Sequence, residues 1–327
     1  MKKITITGGS GFIGTNLISC LQNKGYKIQN LDSHPPKNND LINSWESVDI
    51  LNYKRLQEKI TSFSPDILIH LAAVTDLDGS NSEYYAANTK GTENIIEICD
   101  SLKSLKKVIF TSSMYVCKPG YIPKDYNDYH PHTAYGQSKV DGELLVKEID
   151  NVHYNWFIIR PTSIWGPWFG IPYIDFFDVV YKGRYVDFGK ACTKTYGYIE
   201  NAIFQIEKLL NAEDKYTHKQ TFYIGDNPPI QISEWGNEIS IEMGKGPIKK
   251  IPYSLIKFAS KIGDILIKTG VKFPISSFRL KNMTTNNILP LENLYDVVGE
   301  PPIKRLEGVQ KTLLWLQKHK NYNYLNK

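Results

Sequence analysis

Arginine is scarce in this chain. Arg55, Arg160, Arg184, Arg279 and Arg305 are its only five arginines among 327 residues, so the formal charge of +5 rests mostly on lysine. No stretch gathers that charge into a dense basic block, which argues against nucleic acid as a partner and leaves the lysines as solvated surface. Cysteine is also rare. Cys20, Cys99, Cys117 and Cys192 stand far apart, with no CxxC pair and no Cys/His spacing. That excludes a disulfide framework and a zinc site, and suits a reducing compartment. No apolar run is long enough to span a bilayer, and with strand-like residues from Lys2 onward no signal or transit peptide is expected. The expectation is a cytoplasmic protein that handles a small molecule, without metal, nucleic acid or membrane. What is present is ordinary for a globular protein, with 41% apolar and 22% charged residues. The length suits one extended domain or two closely packed ones.

Residues 5 to 14 read TITGGSGFIG. The β-branched stretch before them predicts a short buried strand, and Ile13, Leu17 and Leu21, four apart, predict a helix over Phe12 to Lys24 that Gly25 closes. Gly8, Gly11 and Gly14 therefore lie in a strand-to-helix turn. A backbone without Cβ atoms there can approach a pyrophosphate, and the helix N-terminus offers free N–H groups. This is the context a dinucleotide site requires.

Strand-like and helix-like segments then alternate. Strands are predicted at 26–31, 47–50, 66–71, 107–111 and 154–159, and helices at 52–62, 83–102 and 134–149. The alternation predicts an α/β fold, a doubly wound parallel sheet of the Rossmann type covered on both faces by helices. Ligand belongs at the carboxyl ends of its strands, where Gly8, Asp32, Ala72, Ser113 and Arg160 fall. After Gly166-Pro167 the pattern loosens. Residues 1–167 are read as the dinucleotide-binding domain and 168–327 as a smaller, mostly helical substrate lobe, with segments near 190–225 returning to the sheet. An amphipathic helix is expected over Leu306 to His319.

Asp32 closes the second strand, where a carboxylate accepts hydrogen bonds from ribose hydroxyls and repels a 2′-phosphate. With Lys37 the only close cation, NAD is expected rather than NADP. Tyr135 and Lys139 lie four apart on one predicted helical face. A phenol titrates near pH ~10, and a neighbouring ammonium would lower that value and let it exchange a proton with a carbinol. Ser113, at the end of the fifth strand, would hold the substrate oxygen in the same crevice.

Taken together, the TGGSGFIG turn, Val48-Asp49-Ile50, His70-Leu71-Ala72-Ala73, Asn88-Thr89-Lys90-Gly91-Thr92, Ser112-Ser113, Tyr135 to Lys139 and Arg160 to Pro167 resemble the extended short-chain dehydrogenase/reductase family, of the NAD-dependent epimerase/dehydratase type. Gly299-Glu300-Pro301-Pro302 and the segment from Leu306 to Trp315 resemble its closing pattern. The resemblance implies that Ser113, Tyr135 and Lys139 are catalytic. It implies cofactor contacts from Gly8, Gly11, Phe12, Ile13, Gly14, Asp32, Asp49, Ile50, Leu71, Ala72, Ala73, Asn88, Tyr135, Lys139, Pro161 and Ser163. Asn88 is read either as a support of the active-site helix or as a helix N-cap. Substrate contacts are implied for Thr75, Ser113, Lys194 and Arg279, and a homodimer through the helices at 83–102 and 134–149.

Several departures narrow the activity. Ser112-Ser113-Met114 replaces the acidic pair of the family's dehydratases, and the glutamate of its decarboxylases is missing at the same place. Ser163-Ile164-Trp165 reshapes the wall near the nicotinamide, and Lys194 stands where many members carry a phosphate-clamping arginine. The leading expectation is an epimerase or ketoreductase of a nucleotide-activated sugar. The alternatives are an enzyme resembling hydroxysteroid dehydrogenases or flavonoid reductases, for which the aromatics from Trp165 to Phe177 would suit an apolar alcohol, and a silent dinucleotide-binding regulator, which would not need an intact Ser-Tyr-Lys set.

Overall fold

The computed structural model describes residues 1–268, 276–320 and 322; the parts of the expected helical C-terminal stretch at 269–275, 321 and 323–327 lie outside it. Its centre is a seven-stranded parallel sheet. The strands are β1 (Lys3–Thr7), β2 (Lys27–Asp32), β3 (Trp45–Ser47), β4 (Ile67–His70), β5 (Lys107–Thr111), β6 (Asn155–Pro161) and β7 (Thr221–Ile224). They run in the order β7-β6-β5-β4-β1-β2-β3. Side chains alternate across the sheet and both faces are dry. Ile67, Ile69, Ile109 and Phe157 join one apolar cluster, while Leu68, Val108, Phe110 and Trp156 join the other. Such strands read as continuous apolar runs because neither face meets water.

Helices α1 (Phe12–Asn23), α2 (Tyr53–Phe63), α3 (Ala86–Ser101) and α4 (Ala134–Lys147) supply the crossovers. Gly25, at φ +82°, follows α1 in the left-handed conformation expected of a helix stop. The third strand lies earlier than 47–50, at Trp45–Ser47, pairing with Asn30–Asp32. The Trp45 indole N–H donates to the Asp32 carbonyl at 3.0 Å. The Val48 N–H still reaches the Asp32 carbonyl at 3.2 Å, and the chain then turns away at Asp49 and Ile50, with the Leu51 N–H bonded to the Asp49 carboxylate. Helix α3 starts at Ala86 rather than Glu83, because the Tyr84 N–H is taken by Asn81 and the Tyr85 hydroxyl by the Asp76 carbonyl.

Beyond β6 the chain adds small ladders, Ser163–Trp165 with Tyr196–Tyr198 and Thr193–Lys194 with Ile230–Gln231. It then returns through β7, which extends the main sheet beside β6. The remaining described part is mostly helical and ends in a helix over Arg305–Lys320. The aromatics of this half are chiefly core. Trp165, Phe169 and Phe177 are buried, and Trp165 meets Trp235 at 5.0 Å between ring centroids. They fill the space between sheet and helices and are spent on packing.

Candidate active site

The sheet order reverses between β1 and β4, so the two following loops diverge and leave a crevice at their carboxyl edge. Gly8 sits at its base with φ +72°, and a Cβ there would lie 2.5 Å from the Ala72 nitrogen. A Cβ on Gly14 would lie 2.5 Å from the Cα of Gly9, so α1 starts close against the turn. Gly11 occupies the N-cap of α1 without any side-chain capping bond, which leaves the first-turn N–H groups open to an anion. Phe12 and Ile13 are half-buried at this end. These features fit a dinucleotide pyrophosphate.

Asp32 closes β2 on the same edge. Its carboxylate accepts from the Ser10 N–H at 3.1 Å and the His34 N–H at 3.0 Å, which holds it toward the glycine turn. Asp49 and Ile50 part company: Asp49 is exposed, whereas Ile50 is buried against α3, where a Cβ on Gly91 would lie 2.5 Å from its Cδ1. The strip Leu71 to Val74 is half-buried, and Thr75 beyond it is exposed. Asn88 is the third residue of α3, inside the helix and not its N-cap. Its amide oxygen accepts from the Val74 N–H at 2.8 Å, and its NH2 donates to the Val74 carbonyl and the Ser138 hydroxyl, both at 2.9 Å. With both amide hydrogens engaged, Asn88 latches the strip to α4.

Helix α4 carries Tyr135 and Lys139 into the crevice. Thr133 caps it, accepting from the Gly136 N–H at 2.9 Å. Tyr135, in the first turn, is buried, with the rings of Tyr115 and Tyr85 at 5.9 and 6.0 Å. Ser113 caps the short turn after β5, its hydroxyl accepting from the Tyr115 N–H at 3.2 Å. Lys139 is buried and donates to the Thr111 carbonyl at 2.9 Å. The structure thus brings Ser113, Tyr135, Lys139 and Asn88 together at one edge.

Electrostatics here are set by burial. The Tyr135 phenol is pushed up to about 12 by loss of water, with a hydrogen bond to Ser113 working the other way. Lys139 is pushed down to about 8 by burial, with the Glu143 charge opposing. The expected lowering of the phenol by its lysine is therefore not present in the protein alone. The Lys139 ammonium is directed to the Thr111 carbonyl, and desolvation of the phenol prevails.

The wall opposite is tyrosine-rich. Ser163 is buried on its short ladder with its hydroxyl toward the Met114 sulfur at 4.0 Å, the rings of Tyr173 and Tyr196 meet edge-on at 6.2 Å, and Pro161 is half-buried at the end of β6. Lys194 is half-buried, and burial lowers its ammonium. Its strand bridges to Asn287, whose side chain reaches Met114 beside Ser113. Arg279 is exposed on the short helix Ser277–Met283, its N–H capped by Ser276 at 3.1 Å.

Arg160 does not face the crevice. It is fully buried and grips Glu143 through Nε and Nη2 at 2.7 and 2.8 Å, with further bonds to the Tyr223 hydroxyl and the Tyr126 carbonyl. It ties β6 and β7 to α4, one turn from Lys139. His70 is buried between the hydroxyls of Thr7 at 2.7 Å and Thr92 at 3.3 Å, and burial takes it down to about 3, so it stays neutral. These residues, with Tyr115, Tyr173 and Tyr196, are the supports that spacing along the chain did not reveal. The one local signal was Glu143, four residues after Lys139 on the same helix. Among the described residues, no group of three His, Cys, Asp or Glu side chains is placed to hold a metal ion.

A doubly wound sheet with a glycine turn and a Ser-Tyr-Lys set at its carboxyl edge is the architecture of the extended short-chain dehydrogenases/reductases. Residues 4–175 match the model of the NAD dependent epimerase/dehydratase family, and the chain belongs to that family. It is an NAD-dependent epimerase or dehydrogenase. It is similar to the N-acetyl-alpha-D-glucosaminyl-diphospho-ditrans,octacis-undecaprenol 4-epimerase of Escherichia coli O157:H7, with 27% identity over 95% of this chain and 94% of that protein. It is also similar to a 3 beta-hydroxysteroid dehydrogenase/Delta 5-->4-isomerase of Mycobacterium tuberculosis, with 25% identity over 73% of this chain and 69% of that one. The UDP-glucuronic acid 4-epimerase of Bacillus cereus, solved with UDP-glucuronic acid and NAD, shares the fold at a TM-score of 0.73, with 18% identity and coverage of 97% and 99%.

Proposed function

We propose that the protein acts on a secondary carbinol of a sugar carried on a diphosphate, as an epimerase or ketoreductase. The observation that carries this reading is the placement of Ser113 and buried Tyr135 against a tyrosine wall whose neighbouring ladder holds the half-buried Lys194. A sugar ring can lie against Tyr115, Tyr173 and Tyr196, and a diphosphate needs a cation near the rim. The E. coli relative is named for a diphosphate-linked sugar, and the B. cereus enzyme was solved with UDP-glucuronic acid bound, which supports the same class. The hydroxysteroid reading rests on the M. tuberculosis relative and on the aromatics from Trp165 to Phe177, of which Trp165, Phe169 and Phe177 are core.

Gly8, Gly11 and Gly14 would hold the pyrophosphate of NAD, Asp32 its adenosine ribose, and Leu71 to Ala73, Pro161 and Ser163 the walls around it. NAD, when bound, accepts and returns the hydride. Ser113 donates a hydrogen bond to the carbinol oxygen, and Tyr135 takes its proton as the carbon is oxidised. Lys139 lies one turn from the phenol and, with NAD bound beside both, would favour its ionised form. Asn88 acts through the backbone it latches. Lys194, with Arg279 from the C-terminal half, would meet the phosphates. The outer faces of α3 and α4, where Leu144 is exposed, would form a twofold interface.

The experiment is to denature the purified protein, identify released ligands by mass spectrometry, and titrate UDP-sugars and short polyprenyl-diphosphate sugars by calorimetry. Tightly retained NAD marks an epimerase and exchangeable NAD a reductase. Lys194→Ala should lower affinity for the sugar diphosphate about tenfold, the worth of one charge-assisted contact. If no sugar diphosphate binds the wild type and a sterol alcohol is oxidised, the assignment is wrong.

A further inference from the structure

The helix Tyr253–Lys268 presents two outward faces of different character. Leu255, Phe258, Ile262 and Ile265 recur at three- and four-residue steps and are 59%, 66%, 41% and 65% exposed. That spacing places all four on one stripe. Lys257 and Lys261, also exposed, form a row one step round the helix, and exposed Lys249 and Lys250 precede it. The opposite side is anchored to the protein. Ile256 and Ser260 are buried, and Asp264, the helix's one acidic residue, accepts from the Ser277 N–H at 2.9 Å.

A soluble enzyme rarely displays four large apolar side chains in a line without something to cover them. The lysine row decides what does. Antiparallel pairing of this face with a second copy about a twofold axis would bring two lysine rows to one rim, and parallel pairing would leave both rows without an opposite charge. An anionic lipid surface satisfies both features: the stripe enters the acyl boundary while the lysines meet headgroup phosphates. At 16 residues the helix is about 24 Å long, and no helix among the described residues is long and apolar enough to cross a membrane. It is built to lie on the surface.

We propose that the helix Tyr253–Lys268 docks the protein on an anionic membrane surface through the Leu255-Phe258-Ile262-Ile265 stripe, with Lys257 and Lys261 facing the headgroups. The proposal does not depend on the sugar substrate, because the test uses vesicles without one. The full-length protein is floated with vesicles of phosphatidylethanolamine and phosphatidylglycerol, and with vesicles of phosphatidylcholine alone, at low and high salt. The wild type should float with the anionic vesicles at low salt, and binding should fall about tenfold or more on neutral vesicles or at high salt. Phe258→Glu/Ile262→Glu should abolish flotation while NAD binding stays at the wild-type value, which shows that the fold is kept. Lys257→Ala/Lys261→Ala should weaken it about tenfold or more. Failure of the wild type to float with anionic vesicles, or equal flotation of Phe258→Glu/Ile262→Glu, overturns the proposal. So does self-association that this double variant abolishes without any vesicle binding, which would assign the stripe to a second copy.

Discussion

Replacing Arg160 by methionine removes the guanidinium that joins α4 to β6 and leaves its carboxylate partner stranded. Glu143 and Arg160 have side chains 2% and 0% exposed, so water cannot take over the lost contacts. Glu143 would lose two charge-assisted bonds, at 2.7 and 2.8 Å, and keep only the Tyr129 hydroxyl at 2.8 Å and Lys147 at 3.7 Å. Removing one member of a buried pair costs about 3–5 kcal/mol. The two remaining contacts favour the lower end, about 3 kcal/mol. The loss should also depend on pH. In the wild type, burial pushes the Glu143 carboxyl up, but the hydrogen bond and charge of Arg160 outweigh it and hold the group below the ordinary carboxylate range. A depressed carboxylate stabilises above its unfolded value, near ~4.3, and loses that contribution as pH falls through the folded one. In the variant, burial acts with far less opposition, so the carboxylate is costly at neutral pH and protonation relieves it. The gap between the two proteins must therefore narrow on acidification. Urea unfolding followed by tryptophan fluorescence at pH 7 and near pH 4.5 measures it. A gap under about 1 kcal/mol at pH 7, or one that widens with acid, would refute the reasoning.

Two further outcomes are expected. Asp32 should make NAD bind about tenfold or more tightly than NADP, since bonds to a charged group are worth about 1.5–3 kcal/mol, and Asp32→Ala should narrow that preference in fluorescence titrations of the two reduced cofactors. Burial lowers Lys139 to about 8, so between there and its ordinary value near ~10.4 the unfolded chain holds a proton that the native protein lacks. The burial penalty is present in full below that window and fades through it, so wild-type stability should gain up to about 1.4 kcal/mol per pH unit relative to Lys139→Met. A parallel pH course for the two proteins in urea titrations would show that burial does not shift Lys139.

The sheet was legible because its strands carry their own signal. Ile67 to His70 and Lys107 to Thr111 are apolar on both faces, and a helical stripe follows the glycine turn. The third strand was misplaced because it is an edge. Its position is set by pairing with β2 and by the Trp45 indole, neither of which leaves a periodic trace. That Ser113, Tyr135 and Lys139 would meet at one edge was readable from chemistry and spacing. Asn88 was read either as a support or as an N-cap, and only its bonds to Val74 and Ser138 decide between them; the other supports were not readable, because each is a long-range pairing, Arg160 with Glu143 and Tyr223 and His70 with Thr7 and Thr92. Arg160 was expected at the ligand edge from its strand position, yet a side chain that long can turn back along the sheet and fold beneath α4. The aromatics after Gly166 were equally ambiguous by composition, and only their burial assigns them to the core.

Tyr135 is the group proposed to move the carbinol proton of a diphosphate-linked sugar. The direct measurement compares wild type and Tyr135→Phe for NAD affinity and for turnover on the sugar diphosphate that binds best by calorimetry. Loss of the hydroxyl removes the proton carrier and keeps the ring between Tyr115 and Tyr85. Turnover should fall by about 10²–10⁴, the usual worth of a general acid–base group, with NAD affinity held within about twofold. Near-wild-type turnover by Tyr135→Phe would contradict the account.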